Sequence, residues 1–310
     1  MAARRNSVDG AGQVQARPVA TMTTTDGSLR FALPKGRMQN GVFALFADAG
    51  IGLREGARNY RPELSLPGFE VKLLKPQSIV EMLHHGSRDI GFAGADWVAE
   101  LSADLVELFD TGLDPVRLVA AAPVDLLVDG QLPARRLVIA SEYARLAKSW
   151  AERAGVDAEV VRSYGATEVY PPEDADMIVD NTSTGATLAA NGLAIVSDLM
   201  KSSTRLYANP RALDDPGRRS RVEDLVMLLK SVLEARRRVM VEVNVSADKL
   251  ESVIQVLPCM RQPTIARLHG EEGYAVRAAV PRKDLPHVIV EIKRRGGTDI
   301  VVTNLGQLVP

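Results

Sequence analysis

The sequence predicts an α/β protein: a parallel, doubly wound body followed by a small βαββαβ domain. Three observations predict it. From residue 29, short apolar runs alternate with stretches whose apolar residues recur at helical spacing. Residues 220–238 then carry one long helical stripe. After it, residues 239–310 run strand, helix, two strands, helix, strand, which is the split βαβ order.

The elements follow in order. Residues 1–28, "MAARRNSVDGAGQVQARPVATMTTTDGS", hold no apolar run and are expected to form a disordered tail. They also lack the apolar stretch of a secretory signal. In "LRFALPKGR", residues 29–33 are a short buried strand that Pro34 ends. Residues 39–49 place Val42, Phe43, Leu45 and Phe46 at helical spacing, and Gly50 closes that helix. Lys35-Gly36-Arg37 is the basic turn between them. "FEVKLLKP" is a second strand, and "QSIVEMLHHG" is a helix with a Gly stop. "RDIGFAGADWVAEL" is a third strand, a glycine-opened turn and a helix. After "LDPVRLVAAAP", "RRLVIAS", "AEVVRS" and "DADMIVD" are strands, with "EYARLAKSWAERAG" a helix among them. In "SRVEDLVMLLKSVLEARRR", Val222, Leu225, Val226, Leu229, Val232 and Leu233 share one face.

Composition narrows the function. The chain has 310 residues, 46% hydrophobic and 25% charged, and a formal net charge of −1. That balance argues against a nucleic-acid binder with a broad basic face, so an anionic ligand needs a local cluster. One cysteine, Cys259, makes no internal disulfide, and with four His it offers no zinc site. A reducing, cytoplasmic setting is expected. No apolar run approaches a membrane span.

The most informative stretch is residues 178–188, "IVDNTSTGATL". Asp180 ends a strand at the sheet edge where open α/β proteins bind ligands. Small hydroxyl residues around Gly185 then lead into a helix, an arrangement that admits phosphate oxygens. An acid beside a phosphate loop suits a sugar phosphate: Asp180 accepts from ribose hydroxyls while the loop holds the 5-phosphate. A plain Asx-type turn before a Thr-capped helix would read the same way. Lys35-Gly36-Arg37 offers two cations around a Gly for a pyrophosphate, or is a solvated basic turn. "GARNYRPEL", with Arg54, Arg58 and Arg61 around Tyr60, suits a triphosphate and a purine, or is a polar loop. Gly91, Gly94 and Asp96 form a tight turn that allows close backbone approach.

Asp180-x-x-x-Thr184-Gly185-x-Thr187 is similar to the ribose-phosphate loop of phosphoribosyltransferases. Taken with "LPKGR", "NYRPEL", "KPQSIVEMLHHGSRDIGFAGADWV" and "EVYPPEDADMIVDNTSTGATL", it resembles the ATP phosphoribosyltransferase family over residues 29–310. "LPCMRQPTIARL" and "YAVRAAVP" resemble the regulatory domain of that family's long form. The chain departs from the family's usual pattern at Asn181, where an aliphatic residue is usual, at Pro171-Pro172 and at Pro258-Cys259-Met260.

The resemblance implies a two-lobed, periplasmic-binding-protein-like catalytic body with a ferredoxin-like (ACT-like) regulatory domain. Lobe I would be residues 29–116 and 206–238, lobe II residues 117–205 and the regulatory domain residues 239–310. It implies that ATP and phosphoribosyl pyrophosphate give phosphoribosyl-ATP and pyrophosphate with Mg2+, in the first step of histidine biosynthesis. Mg2+ would be held through the substrate pyrophosphate. Asp180, Lys35 and Arg37 are the expected catalytic residues. Ser183, Thr184, Gly185, Ala186, Thr187, Glu168, Arg58, Arg61 and Gly94 are the expected substrate contacts. Histidine would inhibit through Asn244 and Thr264, and the long form implies a hexamer with dimer exchange. A two-lobed solute sensor and a transferase acting on a free base are the rival readings.

Overall fold

The computed structural model describes residues 27–54, 60–258, 260, 262–270 and 272–309. Most of the expected tail, together with Arg58 and Cys259, lies outside the described residues.

The chain opens with β1 (Leu29–Pro34), α1 (Arg37–Asp48), a small hairpin of β2 (Leu53–Arg54) and β3 (Glu63–Leu64), β4 (Phe69–Leu74), α2 (Pro76–His84), β5 (Ile90–Gly94) and α3 (Ala95–Glu100). β1 lies between β4 and β5, parallel to both. Its Leu29, Phe31 and Leu33 are fully buried, and Phe31 packs against Phe46, Phe69 and Phe92 with ring centroids 5.8–5.9 Å apart. Alternate positions of a strand share a face, so these residues sit under the stripe of α1 that buries Val42, Leu45 and Phe46.

Two long strands follow on either side of a second βα unit. They are β6 (Val106–Pro123) and β10 (Leu193–Ala208). Between them come β7 (Leu137–Ser141), α4 (Ala144–Ala154), β8 (Ala158–Arg162), β9 (Met177–Thr182) and α5 (Ala186–Ala190). The large sheet has the order β4-β1-β5-β10-β6-β9-β7-β8. β10 pairs antiparallel with β5 through Thr204–Ala208, and with β6 along nearly its whole length. β6 in turn pairs antiparallel with β9 through residues 117–121. β6 and β10 therefore run through both halves of a two-lobed, periplasmic-binding-protein-like body.

The all-parallel expectation needs correcting here, because the two crossing strands are antiparallel to their neighbours. Their residues hide this. In β6, residues 118–122 are buried continuously, whereas residues 106–115 alternate around Asp110, Gly112 and Asp114. No single strand pattern covers such a segment. The register of β10 against β6 shifts at five places, including both sides of Thr204, so the pair bends as it crosses.

α6 (Pro216–Arg237) returns to the first half. Asp215 caps it by accepting from the Arg218 amide at 2.7 Å, and Pro216 occupies the first turn. Val222, Leu225, Leu229, Val232 and Leu233 bury against the β1–α1 core, the face expected from their spacing. The helix runs directly into β11 (Arg238–Ser246), followed by α7 (Leu250–Ile254), β12 (Thr264–Arg267), β13 (Gly273–Pro281), α8 (Leu285–Arg294) and β14 (Thr298–Asn304). Their sheet order, β12-β13-β11-β14, is all antiparallel and ferredoxin-like. Val239, Val241, Val243 and Val245 face Val253, Val288 and Ile292 on the helices. The alternate residues of β11, Asn244 among them, face away. The Leu308 amide donates to the Ser231 carbonyl at 2.9 Å, tying the end of the chain back to α6.

Among the described residues no helix is long and apolar enough to cross a membrane.

Candidate active site

β9 drives Asp180 to the mouth of a cleft. Met177, Ile178 and Val179 are fully buried, and Asp180, the next residue, is half-buried. One of its oxygens, Oδ1, accepts the Asn181 amide at 2.7 Å. Burial is the main reason its carboxyl is pushed up to about 6. The Asn181 amide opposes that, Glu142 and Glu168 add to it, and the Thr167 hydroxyl also opposes it. Glu168 rides on a single helical turn, Thr167–Val169, pinned by the buried Ser163–Thr167 hydroxyl contact at 2.8 Å.

The loop after Asp180 is shaped by its own hydroxyls. Thr182 Oγ1 accepts the Gly185 amide at 2.9 Å, and Thr184 Oγ1 accepts the Ala186 amide at 3.3 Å. Gly185 sits at φ 82°, where a side chain would be strained. Two amides of the loop are thus turned onto its own hydroxyls. Ser183, Thr184 and Thr187 remain exposed, and their hydroxyls can donate to incoming oxygens.

Arg37 faces this loop from the first half of the molecule. Together with Glu168, Asp180, Asn181, Thr182, Ser183 and Thr187 it lines a cleft of about 240 Å³. Gly36, at φ 83°, lets the chain turn from β1 into α1 and so presents Arg37. Lys35 is not part of this lining. Its Nζ stands 3.8 Å from the ring centroid of Tyr60, a cation–π contact with an exposed ring that holds cation and aromatic together. Arg61 is exposed and close enough to Arg88 to help lower that guanidinium's pKa, after burial and Arg30. Thr184, Gly185 and Ala186 shape the turn but do not line the cleft.

Gly94 ends β5 outside the cleft lining, and its lack of a side chain has a clear cause. A Cβ there would overlap Asp96 Oδ1. Asp96 is 2% exposed. It accepts from Ser202 Oγ at 2.8 Å and from Tyr143 Oη at 2.6 Å, and Tyr143 Oη in turn accepts from Asn181 Nδ2 at 2.7 Å. Gly94→Ala is therefore expected to displace Asp96 and cost about 1–3 kcal/mol of stability, as overpacking does. Denaturant unfolding measures it, and an unchanged midpoint would contradict it.

The sequence reading did not pick out Glu142, Tyr143 or Ser202 for the site. They meet Asp180 or Asp96 only through the fold: Tyr143 lies 47 positions from Asp96 and 38 from Asn181. No local motif signals such a meeting.

In the C-terminal domain, Asn244 and Thr264 share the sheet face turned away from the helices. They are two strands apart, with β13 between: Asn244 pairs with Ala275, and Thr264 with Arg277. Asn244 Nδ2 donates to Asp299 at 3.1 Å, and Arg277 bonds Glu242 at 2.9 Å. The face thus offers amide, carboxylate and guanidinium groups side by side. Among the described residues no cluster of three His, Cys, Asp or Glu could hold a metal by itself.

The chain is similar to known proteins along most of its length. The family model described as ATP phosphoribosyltransferase matches residues 75–231, and the one described as HisG, C-terminal domain, matches residues 235–307. A curated relative from Pelotomaculum thermopropionicum, named ATP phosphoribosyltransferase, is 37% identical over 91% of this chain and 99% of its own length. One of the same name from Desulforudis audaxviator is 36% identical, again over 91% of this chain and 99% of its own. Among solved structures, the ATP phosphoribosyl transferase (HisG:HisZ) complex from Thermotoga maritima is similar at TM-score 0.60 and 26% identity. That match covers 66% of this chain and 98% of the solved one.

Proposed function

We propose a mechanism for a chain that belongs to the ATP phosphoribosyltransferase family: ATP and phosphoribosyl pyrophosphate meet in the Asp180 cleft and leave as phosphoribosyl-ATP and pyrophosphate. This is the first step of histidine biosynthesis. The observation that carries the reading is the cleft itself, with Arg37 on one side and Asp180, Glu168 and a hydroxyl loop on the other. A cation opposite carboxylates and hydroxyls matches a ligand that carries phosphates at one end and ribose hydroxyls at the other.

The chemistry asks the protein for positioning and charge. The adenine ring nitrogen beside the amino group attacks the anomeric carbon, and the bond from that carbon to pyrophosphate breaks. Positive charge develops on the anomeric carbon and the ring oxygen. Ionised Asp180 accepts from the ribose hydroxyls and, with Glu168, supplies negative potential to that charge. Ser183 and Thr187, which line the cleft, offer hydroxyls to the 5-phosphate, Thr184 follows Ser183 on the same loop, and the Gly185 turn keeps bulk away from it. Arg37 meets the departing pyrophosphate, and Lys35, held over Tyr60, stands at the same turn. Arg58 and Arg61 are assigned to ATP. No covalent nucleophile is needed, because holding two reactants in line supplies much of the rate.

A divalent metal, Mg2+ in this reading, neutralises pyrophosphate when it is bound. The donor set fits: Mg2+ takes one or two carboxylates plus substrate phosphate oxygens, and Asp180 and Glu168 are the carboxylates at the cleft. Chelation is expected to abolish turnover and added Mg2+ to restore it. Full activity in chelator would remove the metal from the scheme.

Residues 239–310 are assigned to histidine sensing through Asn244 and Thr264. Assembly is taken as a hexamer that exchanges with dimers, and the setting as cytoplasmic. Exposed Ile265, Val301 and Val302 on the C-terminal sheet suit contacts between copies.

The test mixes the protein with ATP, phosphoribosyl pyrophosphate and Mg2+ and follows ultraviolet absorbance of the product. Product from ATP and none from free adenine supports the reading. Product from adenine alone would favour a free-base transferase, and no product from either would favour a sensor.

A further inference from the structure

We infer that Asn181 is a positioning residue: through the buried chain Asn181–Tyr143–Asp96–Ser202 it holds the Asp180 end of β9 against the first half of the molecule, and so sets affinity for the sugar phosphate. This rests on the reading of Asp180 given above.

The direction of the chain follows from proton counting. An aspartate carboxylate only accepts. Tyr143 has one hydroxyl proton, and Asp96 Oδ2 takes it at 2.6 Å. Tyr143 Oη must then act as acceptor toward Asn181, whose Nδ2 lies 2.7 Å away. Burial, then the neighbouring Asp96, push the Tyr143 pKa far up, so the hydroxyl keeps its proton. Asp96 is held at its other oxygen by Ser202 Oγ at 2.8 Å, and its own amide donates back to that Oγ at 3.1 Å.

Each member comes from a different element. Asp96 is on α3 and Ser202 on the crossing strand β10, while Tyr143 immediately precedes α4 and Asn181 is on β9. Asp96, Tyr143 and Ser202 are all at most 4% exposed. The Tyr143 ring also packs against Trp97, tilted by 30° with centroids 4.6 Å apart. Glu100 of α3 accepts the first amides of α4, from Arg145 and Leu146, both at 2.9 Å. The α3–α4 contact is therefore fixed independently of Asn181. That makes the Asn181–Tyr143 bond the separable link, joining a fixed contact to the residue beside Asp180. Asn181 also lines the cleft with Arg37, which approaches from the α1 side. Loss of the link leaves the β9–β6 ladder in place but removes the side-chain tie that sets the cleft end of β9 relative to Arg37, without removing any group that contacts the ligand's phosphates.

The test uses the full chain with Asn181→Leu, Tyr143→Phe and the double variant, alongside Asp180→Asn. Affinity for phosphoribosyl pyrophosphate is measured by calorimetry, and KM and kcat are measured for both substrates. The expected result is a five- to twentyfold weaker affinity for the sugar phosphate in each single variant. The KM for ATP stays within about twofold, and the double variant is no worse than the worse single one, as for two residues acting through one bond. If Asp180→Asn weakens binding while Asn181→Leu and Tyr143→Phe bind like the wild type, the positioning role is overturned and the site reading stands. Additive losses in the double variant, or equal losses for ATP, would also overturn it, because a merely structural role predicts them. A wild type with no affinity for phosphoribosyl pyrophosphate would overturn both.

Discussion

Asp180→Asn lowers kcat/KM for phosphoribosyl pyrophosphate roughly 30- to 1,000-fold, or about 2–4 kcal/mol of transition-state stabilisation, the scale of one preorganised polar contact. The substitution keeps the shape and removes the charge. In the proposed mechanism the ribose hydroxyls lose a charged acceptor, and the developing positive charge loses a counter-charge. The pH dependence follows from the same carboxyl. Its pKa is about 6, raised chiefly by burial, so the active ionised form is depleted as pH falls through 6, and kcat/KM in the wild type falls with it. Stability moves the other way. A carboxyl whose pKa is higher in the folded chain than its ordinary 3.8 contributes stability that is fully present below that value and is lost as pH rises through about 6. Asp180→Asn is accordingly expected to raise the melting temperature at pH 7.5 while cutting activity. A variant that is less active and also less stable at that pH would point to misfolding instead. Unchanged kinetics would remove Asp180 from the mechanism.

Asn244→Ala raises the histidine concentration for half-inhibition at least tenfold and leaves kcat without histidine unchanged. Hydrogen bonds to charged groups contribute about 1.5–3 kcal/mol, and about 1.4 kcal/mol is tenfold in affinity. Asn244 is anchored to Asp299 and lies two strands from Thr264 on the open face, where Glu242 and Arg277 are already paired. In the proposed reading that face takes the charged ends of an amino acid, and Asn244 offers it a donor and an acceptor. In the proposed scheme the histidine and substrate sites are coupled, so histidine is expected to bind differently when substrate is present. The measurement is a histidine titration of initial rates, with sedimentation on the same samples to follow assembly. Unaltered inhibition in Asn244→Ala would move the sensing site off this face. Removing residues 239–310 is the harsher version, expected to abolish inhibition while substrate binding persists.

What could be read in advance followed local periodicity. The stripe Val222–Leu225–Leu229–Val232 specifies α6, and the alternation from Val239 to Val245 specifies β11, because each pattern buries one face. The run ending at Asp180 has the residue types of a buried strand meeting a small-residue turn. The crossing strands were not legible. β6 and β10 change their buried faces midway and carry register shifts, so period-2 reasoning loses them. The Asn181–Tyr143–Asp96–Ser202 chain was invisible for another reason: its members come from four separate elements and meet only in the folded molecule. The stacking of Lys35 on Tyr60 is likewise a tertiary contact. Thr182 shapes the turn by taking the Gly185 amide, a bond that its residue type alone does not announce.

The structure of the full chain with phosphoribosyl pyrophosphate bound decides between these roles most directly. Ribose hydroxyls are expected on Asp180, the 5-phosphate on the Ser183–Thr187 loop, and the pyrophosphate toward Arg37. A 5-phosphate seated at the Lys35–Arg37 turn, with Asp180 facing no hydroxyl, would contradict these assignments.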